Sequence, residues 1–233
     1  MAKIENAIIM AAGLGTRMRP LTYETPKPLI PVHGKPMIES IIDGLHQNDI
    51  NDITIVVGYL GEKFGYLSDK YQGIKLIENP YYDRYNNISS LYVARNELKN
   101  TIILDGDQLI PNTKILNRNF QYSGYAGSRV DGWTDEWIMH VDNNNVVLSC
   151  DREGNDHGWR LYSLSKWTAK DSAMLKKYLV QGFSNGEYRD LYWDDIAMFE
   201  HFDKFTLTMM PINKGDIIEI DSVAQLKKIN QQA

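Results

Sequence analysis

The stretch Ala7-Ile8-Ile9-Met10-Ala11-Ala12-Gly13-Leu14-Gly15-Thr16-Arg17 decides the fold. Six apolar residues in a row, without alternation and ending at glycine, read as a short strand buried on both faces, the type that parallel sheets use. The segment that follows, Gly13 to Pro36, is rich in Gly, Pro and Thr and too long for an ordinary connection, which marks it as functional. Beyond it, Met37, Ile38, Ile41, Ile42 and Leu45 share one helical face. The buried-strand pattern then recurs at Ile53–Gly58, Ile74–Ile77 and Thr101–Leu104, with helices predicted near Glu62–Tyr71 and Ser89–Leu98 between them. Strands alternating with helices imply right-handed crossovers. The predicted class is therefore α/β: a Rossmann-like, mostly parallel mixed sheet flanked by helices.

After about residue 120 the texture changes. Tyr122–Val130, Trp137–Val141, Val146–Cys150 and Arg160–Ser165 read as strands parted by Asn, Asp and Gly, with a hairpin turn at Asn143-Asn144-Asn145. Thr168 and Asp171 are placed to cap a helix with Met174, Leu175, Tyr178 and Leu179 inward. Phe205–Pro211 reads as a further strand, and Asp221 as the cap of a last helix. With no repeat or linker in sight, residues 1–233 read as one domain, divided into halves of about 1–120 and 121–233.

Composition narrows the partners. A net charge of −5 argues against a nonspecific nucleic-acid binder, but not against a small anion held by backbone amides. The single cysteine, Cys150, excludes an internal disulfide and fits a cytoplasmic setting. No stretch approaches the ~20 apolar residues of a membrane span, so no membrane insertion is expected. The sequence is compatible with a monomer or a homodimer.

The loop after the first strand has the makings of a phosphate cradle. Gly13 and Gly15 allow close approach to backbone N–H groups, and Thr16, Arg17 and a proline-bracketed Lys27 add donors and charge. Met18 stands where a dinucleotide fingerprint would need a third glycine, and no P-loop Gly-Lys-Ser/Thr occurs. At the end of the fourth buried strand, Asp105-Gly106-Asp107 places two carboxylates where open α/β sheets bind ligands, suited to an oxygen-seeking cation or simply to an Asp-Gly turn. Two acidic aromatic clusters, Trp133–Trp137 and Asp190–Asp195, suit a cation, above all a quaternary ammonium. The five histidines show no paired spacing with a nucleophile.

Ala11 to Thr22, then Pro26-Lys27-Pro28-Leu29-Ile30-Pro31 and Gly34-Lys35-Pro36-Met37-Ile38, resemble the nucleoside-triphosphate transferase family. The resemblance implies that Gly13, Gly15, Thr16, Arg17 and Lys27 hold a triphosphate, with Lys27, Arg17 and Asp107 catalytic. It also implies Asp107 and Asp221 as ligands of Mg²⁺, with Asp105 supporting. Backbone at Ala11, Ala12 and Gly13 would read the base, with Asn79, Asn86 and Ser89 adding contacts. Tyr85 to Tyr92, Asp135-Glu136-Trp137, Asp190 to Asp194 and Ile220 to Val223 are similar to bacterial CTP:phosphocholine cytidylyltransferases. That similarity implies CMP transfer from CTP to phosphocholine, a small phosphorylated amino-alcohol, in a pocket formed by Glu136, Trp137, Tyr192, Trp193 and Asp194. Three other acceptors stay open: 2-aminoethylphosphonate, phosphoethanolamine and a sugar-1-phosphate. So does a non-catalytic nucleotide-binding module.

Overall fold

The structure is a computed structural model that describes residues 1–231. After a two-residue strand at Ala2–Lys3 that pairs with Asn119–Phe120, the strand named β1 (Asn6–Ala11) is buried along its whole length. Ala7, Ile9 and Ala11 enter one core, while Ile8 and Met10 enter the other, as a double-faced strand requires. Helix α1 (Met37–Gln47), strand β2 (Ile53–Val57), the short helix α2 (Tyr66–Lys70) and strand β3 (Ile74–Glu78) follow. Then come helix α3 (Ile88–Ala94), strand β4 (Thr101–Asp105) and the two-residue strand β5 (Gln108–Leu109). The second half contributes β6 (Gly124–Arg129), β7 (Ile138–Val141), β8 (Val147–Asp151), β9 (Trp159–Trp167), helix α4 (Ala169–Ser184), β10 (Thr208–Pro211), β11 (Ile218–Glu219) and helix α5 (Val223–Asn230).

Among the described residues, one nine-stranded sheet runs β8-β7-β9-β4-β1-β2-β3, with β6 pairing both β9 and β10. The strands β4, β1, β2 and β3 are mutually parallel, whereas β9 meets β4 antiparallel. The fold is thus mixed α/β with a mainly parallel centre, as the sequence implies. β1 lies between β2 and β4: the chain leaving β1 moves on toward β2, whereas the chain leaving β4 moves away from β1 to the side of β9. That switch point opens a crevice where the loops after β1 and β4 face each other.

Element limits differ in ways with local causes. The helix expected over 62–71 is a single 3-10 turn, Gly61–Phe64, followed by α2, and the helix expected over 89–98 ends at Ala94 and tightens into a 3-10 turn at Arg95–Glu97. Thr168 caps α4 by accepting from the Asp171 amide, as expected. Asp221 is not the cap of α5. Ser222 is, accepting from the Gln225 amide, while the Gln225 side chain accepts from the Asp221 amide.

Glu39, in the first turn of α1, is only 3% exposed. It accepts hydrogen bonds from Lys70 Nζ (2.6 Å), Tyr66 Oη (2.8 Å) and Tyr71 Oη (3.0 Å), which tie α2 to α1. Burial alone would raise its pKa, but these donors outweigh burial and hold it below the ordinary 4.5. A folded-state pKa below the unfolded one contributes stability above the unfolded value that is lost as pH falls through the folded one. Glu39→Gln should therefore cost about 2 kcal/mol in denaturant unfolding at neutral pH. The gap from wild type should narrow as pH drops below 4.5.

Candidate active site

The loop after β1 packs by means of one glycine. Gly15 has φ +59°, and a Cβ there would lie 2.9 Å from Thr22 Cγ2 and 3.0 Å from Lys27 Cβ. A Cβ on Gly13 would meet nothing within 4 Å. The amides of Gly13, Leu14 and Gly15 donate to no protein acceptor among the described residues. Free amides beside an open face form a ready anion site. Lys27 opens a 3-10 turn between Pro26 and Pro28 and is 8% exposed. Its stem packs on Gly15, and its ammonium leaves the loop entirely.

That ammonium lies 2.6 Å from Asp107 Oδ2 and 2.8 Å from Asp221 Oδ1. Arg17 Nη2 also reaches Asp221 Oδ1, at 2.8 Å. The two carboxylates converge because β5 and β11 pair antiparallel, Gln108 opposite Glu219 and Leu109 opposite Ile218, which sets the residues flanking those strands together. Burial works against the Lys27 charge, but Asp107 and Asp221 outweigh it and raise its pKa. Burial likewise opposes charge on Asp221, and Lys27 and Arg17 overcome it and lower its pKa. Asp105 forms no ion pair among the described residues, and the Lys27 charge acts on it only weakly. Burial first, and the Asp107 charge second, push it up to about 7.

Two clefts meet at this cluster. The first, about 380 Å³, is lined by the backbone from Ala11 to Arg17 and by Lys27, Asn79, Asn86, Ser89, Asp105 and Asp107. The structure thus gathers every residue expected at the nucleotide into one cavity. Asn79 builds its wall: both amide hydrogens go to Ser89 Oγ (3.0 Å) and Ser90 Oγ (3.1 Å), and Oδ1 accepts from the Tyr81 amide. Asn86 spends its amide on the Asp190 carbonyl.

The second cleft, about 490 Å³, shares Arg17, Asn87, Asp105 and Asp107 with the first. Glu136, Trp137, Tyr192 and Asp194 line it, with Asp135, Glu219 and Asp221. Trp137 and Tyr192 make a corner, ring centroids 5.8 Å apart and planes at 87°. Phe199 backs Trp137 edge-on at 5.1 Å. Glu136 is held by Arg160 at 3.0 Å. No histidine lines either cleft among the described residues.

Trp193 is a correction. It is 0% exposed and stacks at 5.8 Å on Tyr125, with Trp167 edge-on at 6.1 Å, so it belongs to the core and offers no face to the cleft. Its amide donates to Asn87 Oδ1, and Asp195 Oδ2 accepts from the Tyr192 amide; the resulting turn sends successive side chains out and in. Asp194, next along, is buried at the cleft floor with Oδ1 unpartnered, and burial, then Asp105, raises its pKa well above the ordinary value. Trp133 is 73% exposed and lines neither cleft.

Ser163, Asn87 and Leu161 also line the second cleft and were not singled out from sequence. Ser163 follows from the strand register, which only the structure supplies. Ser165 pairs with Ile103 in the β9–β4 ladder, so continuing the register places Ser163 beside Asp105. The opposite fates of neighbouring aromatics give a direct test. Trp193→Ala should lose about 3 kcal/mol in unfolding experiments, whereas Tyr192→Ala should stay within about 0.5 kcal/mol of wild type.

Comparison with known proteins agrees with this geometry. Residues 6–123 match the Nucleotidyl transferase family. A 2-aminoethylphosphonate cytidylyltransferase of Lancefieldella rimae is 38% identical over 97% of this chain and 92% of its own length. A choline-phosphate cytidylyltransferase of Streptococcus pneumoniae is 36% identical over 97% and 96%. The solved structure of CTP:phosphocholine cytidylyltransferase from Streptococcus pneumoniae superposes with a TM-score of 0.91 at 35% identity, covering 99% of both chains. The chain belongs to the nucleotidyl transferase family and is a nucleotidyltransferase enzyme.

Proposed function

We propose that this enzyme transfers CMP from CTP to phosphocholine, releasing pyrophosphate and forming CDP-choline. The observation that carries the acceptor choice is the lining of the second cleft. Seven carboxylates line it around an aromatic corner; Lys27, Arg17 and Arg160 pair with four of them, which leaves Asp105, Asp135 and Asp194 without an ion pair among the described residues. Such a wall repels a free sugar phosphate and attracts an acceptor bearing a cation. A quaternary ammonium has no N–H to donate, so ring faces and Coulomb attraction must hold it. Trp137 and Tyr192 supply the faces, and the carboxylates of Asp135 and Glu136, which line the same cleft, supply charge.

The chemistry needs no general base. A phosphomonoester has a second pKa near ~6 and is largely dianionic at neutral pH. One of its oxygens attacks the α-phosphorus of CTP, the bond to the bridging oxygen breaks, and that electron pair leaves with pyrophosphate. Bringing two anions together is the barrier. Lys27 and Arg17, which line the first cleft, would neutralise the triphosphate, and the free amides of Gly13 to Gly15 would receive its oxygens. The donor set suits Mg²⁺: among the described residues no three His, Cys, Asp or Glu groups gather as a cage, but Asp107 and Asp221 do face one cation position. Magnesium characteristically takes one or two carboxylates and completes its shell with water and phosphate. Bound there, it would screen the α-phosphate and orient the attack.

Asp194 supports a second reading, since its unpartnered Oδ1 could accept from the primary ammonium of 2-aminoethylphosphonate. A pyrophosphate-release assay with CTP and both acceptors separates the two. Phosphocholine should give the higher kcat/KM, and equal or faster turnover of aminoethylphosphonate would overturn the assignment. Tyr192→Ala should raise the phosphocholine KM about tenfold or more while changing kcat little.

A further inference from the structure

Lys27 does two incompatible things. It lines the nucleotide cleft, yet its ammonium is spent on Asp107 and Asp221, the carboxylates assigned above to the metal. Asp221 faces only the second cleft, so Lys27 reaches across the boundary between the two. Its contact oxygens, Asp107 Oδ2 and Asp221 Oδ1, are ones a divalent cation would need. An ammonium and a dication cannot share them, because like charges at such range repel strongly away from bulk water. Left without any cation, two converging carboxylates would repel each other in turn.

We propose that Lys27 is an internal counter-ion that holds the metal position shut until nucleotide arrives. In the free enzyme its ammonium neutralises Asp107 and Asp221; a triphosphate entering beside Gly13 to Arg17 offers the same ammonium stronger partners and draws it off the carboxylates. Metal binding is thereby coupled to nucleotide binding through one side chain, and by linkage each strengthens the other. Arg17 is not the stopper. It touches Asp221 alone and its side chain is 74% exposed. This inference rests on the metal-assisted reading above.

The test is Mn²⁺ binding to the free protein, without nucleotide, followed by electron paramagnetic resonance. Lys27→Met should bind Mn²⁺ about tenfold more tightly than wild type or better, and Arg17→Ala should gain less than about threefold. Adding Asp107→Asn to Lys27→Met should remove the gain. A Lys27→Met protein that binds Mn²⁺ no better than wild type overturns the proposal. In case that variant folds poorly, the Lys27 ammonium signal of ¹⁵N-lysine wild-type enzyme gives a second reading. It should hold its position with Mg²⁺ alone and shift with Mg²⁺ and CTP together. A shift with Mg²⁺ alone, equal to that with both, contradicts the exchange. Neither readout needs turnover. A failed acceptor assay with these results intact would sink the proposed reaction and leave the exchange standing.

Discussion

One ammonium ion joins the three parts of this site. Lys27 belongs to the loop after β1, Asp107 to the exit of β4, and Asp221 to the exit of β11, and Lys27 Nζ touches both carboxylates at 2.6 and 2.8 Å. Partners 80 and 194 residues away along the chain are brought to one point by the switch of strand direction at β1 and by the short β5–β11 ladder. Around that point the fold separates two environments. Free amides and basic side chains line the cleft on one side, and acids with aromatic faces line the cleft on the other.

The supporting structure is economical. Gly15 lets the loop lie against the Lys27 stem, and prolines on either side fix the backbone from which that stem rises. Gln225, one turn into α5, accepts the Asp221 amide and so fixes the second carboxylate from behind. Asn87 holds the Trp193 amide and lines both clefts, joining the nucleotide wall to the aromatic corner. The helix cap and the core aromatics are in this sense parts of the site's scaffold.

Much of this was legible in the sequence, for identifiable reasons. The uninterrupted apolar run of β1 and its repeats at β2 and β4 announce parallel strands buried on both faces, and the over-long Gly/Pro loop announces a ligand site. The acids flanking the aromatics marked the two clusters as suited to a cation, but only the family resemblance pointed to Trp137 and Tyr192 within them; the same pattern also included Trp133 and Trp193, which do not line the cleft. Other features were not legible because the relevant period is missing. Tyr192-Trp193-Asp194 lies in a turn, where neither the two-residue rhythm of a strand nor the helical one tells inside from outside. Side-chain bonds from Asn87 and Asp195 decide it, and they turn Trp193 into the core. Asp221 and Ser222 are both good helix caps by type. Ser222 takes the task because Lys27 and Arg17 already hold the Asp221 carboxylate. Ser163 needed the β9–β4 register, which no single strand reveals.

Asp107, at the meeting point of the two clefts, should act on transfer of the nucleotide rather than on its capture. Pyrophosphate release and CTP binding measured side by side on Asp107→Ala test this most directly. Turnover with phosphocholine should fall by about a thousandfold or more, while CTP affinity stays within about tenfold of wild type. Equal losses of binding and turnover, or turnover that survives the substitution, would contradict it.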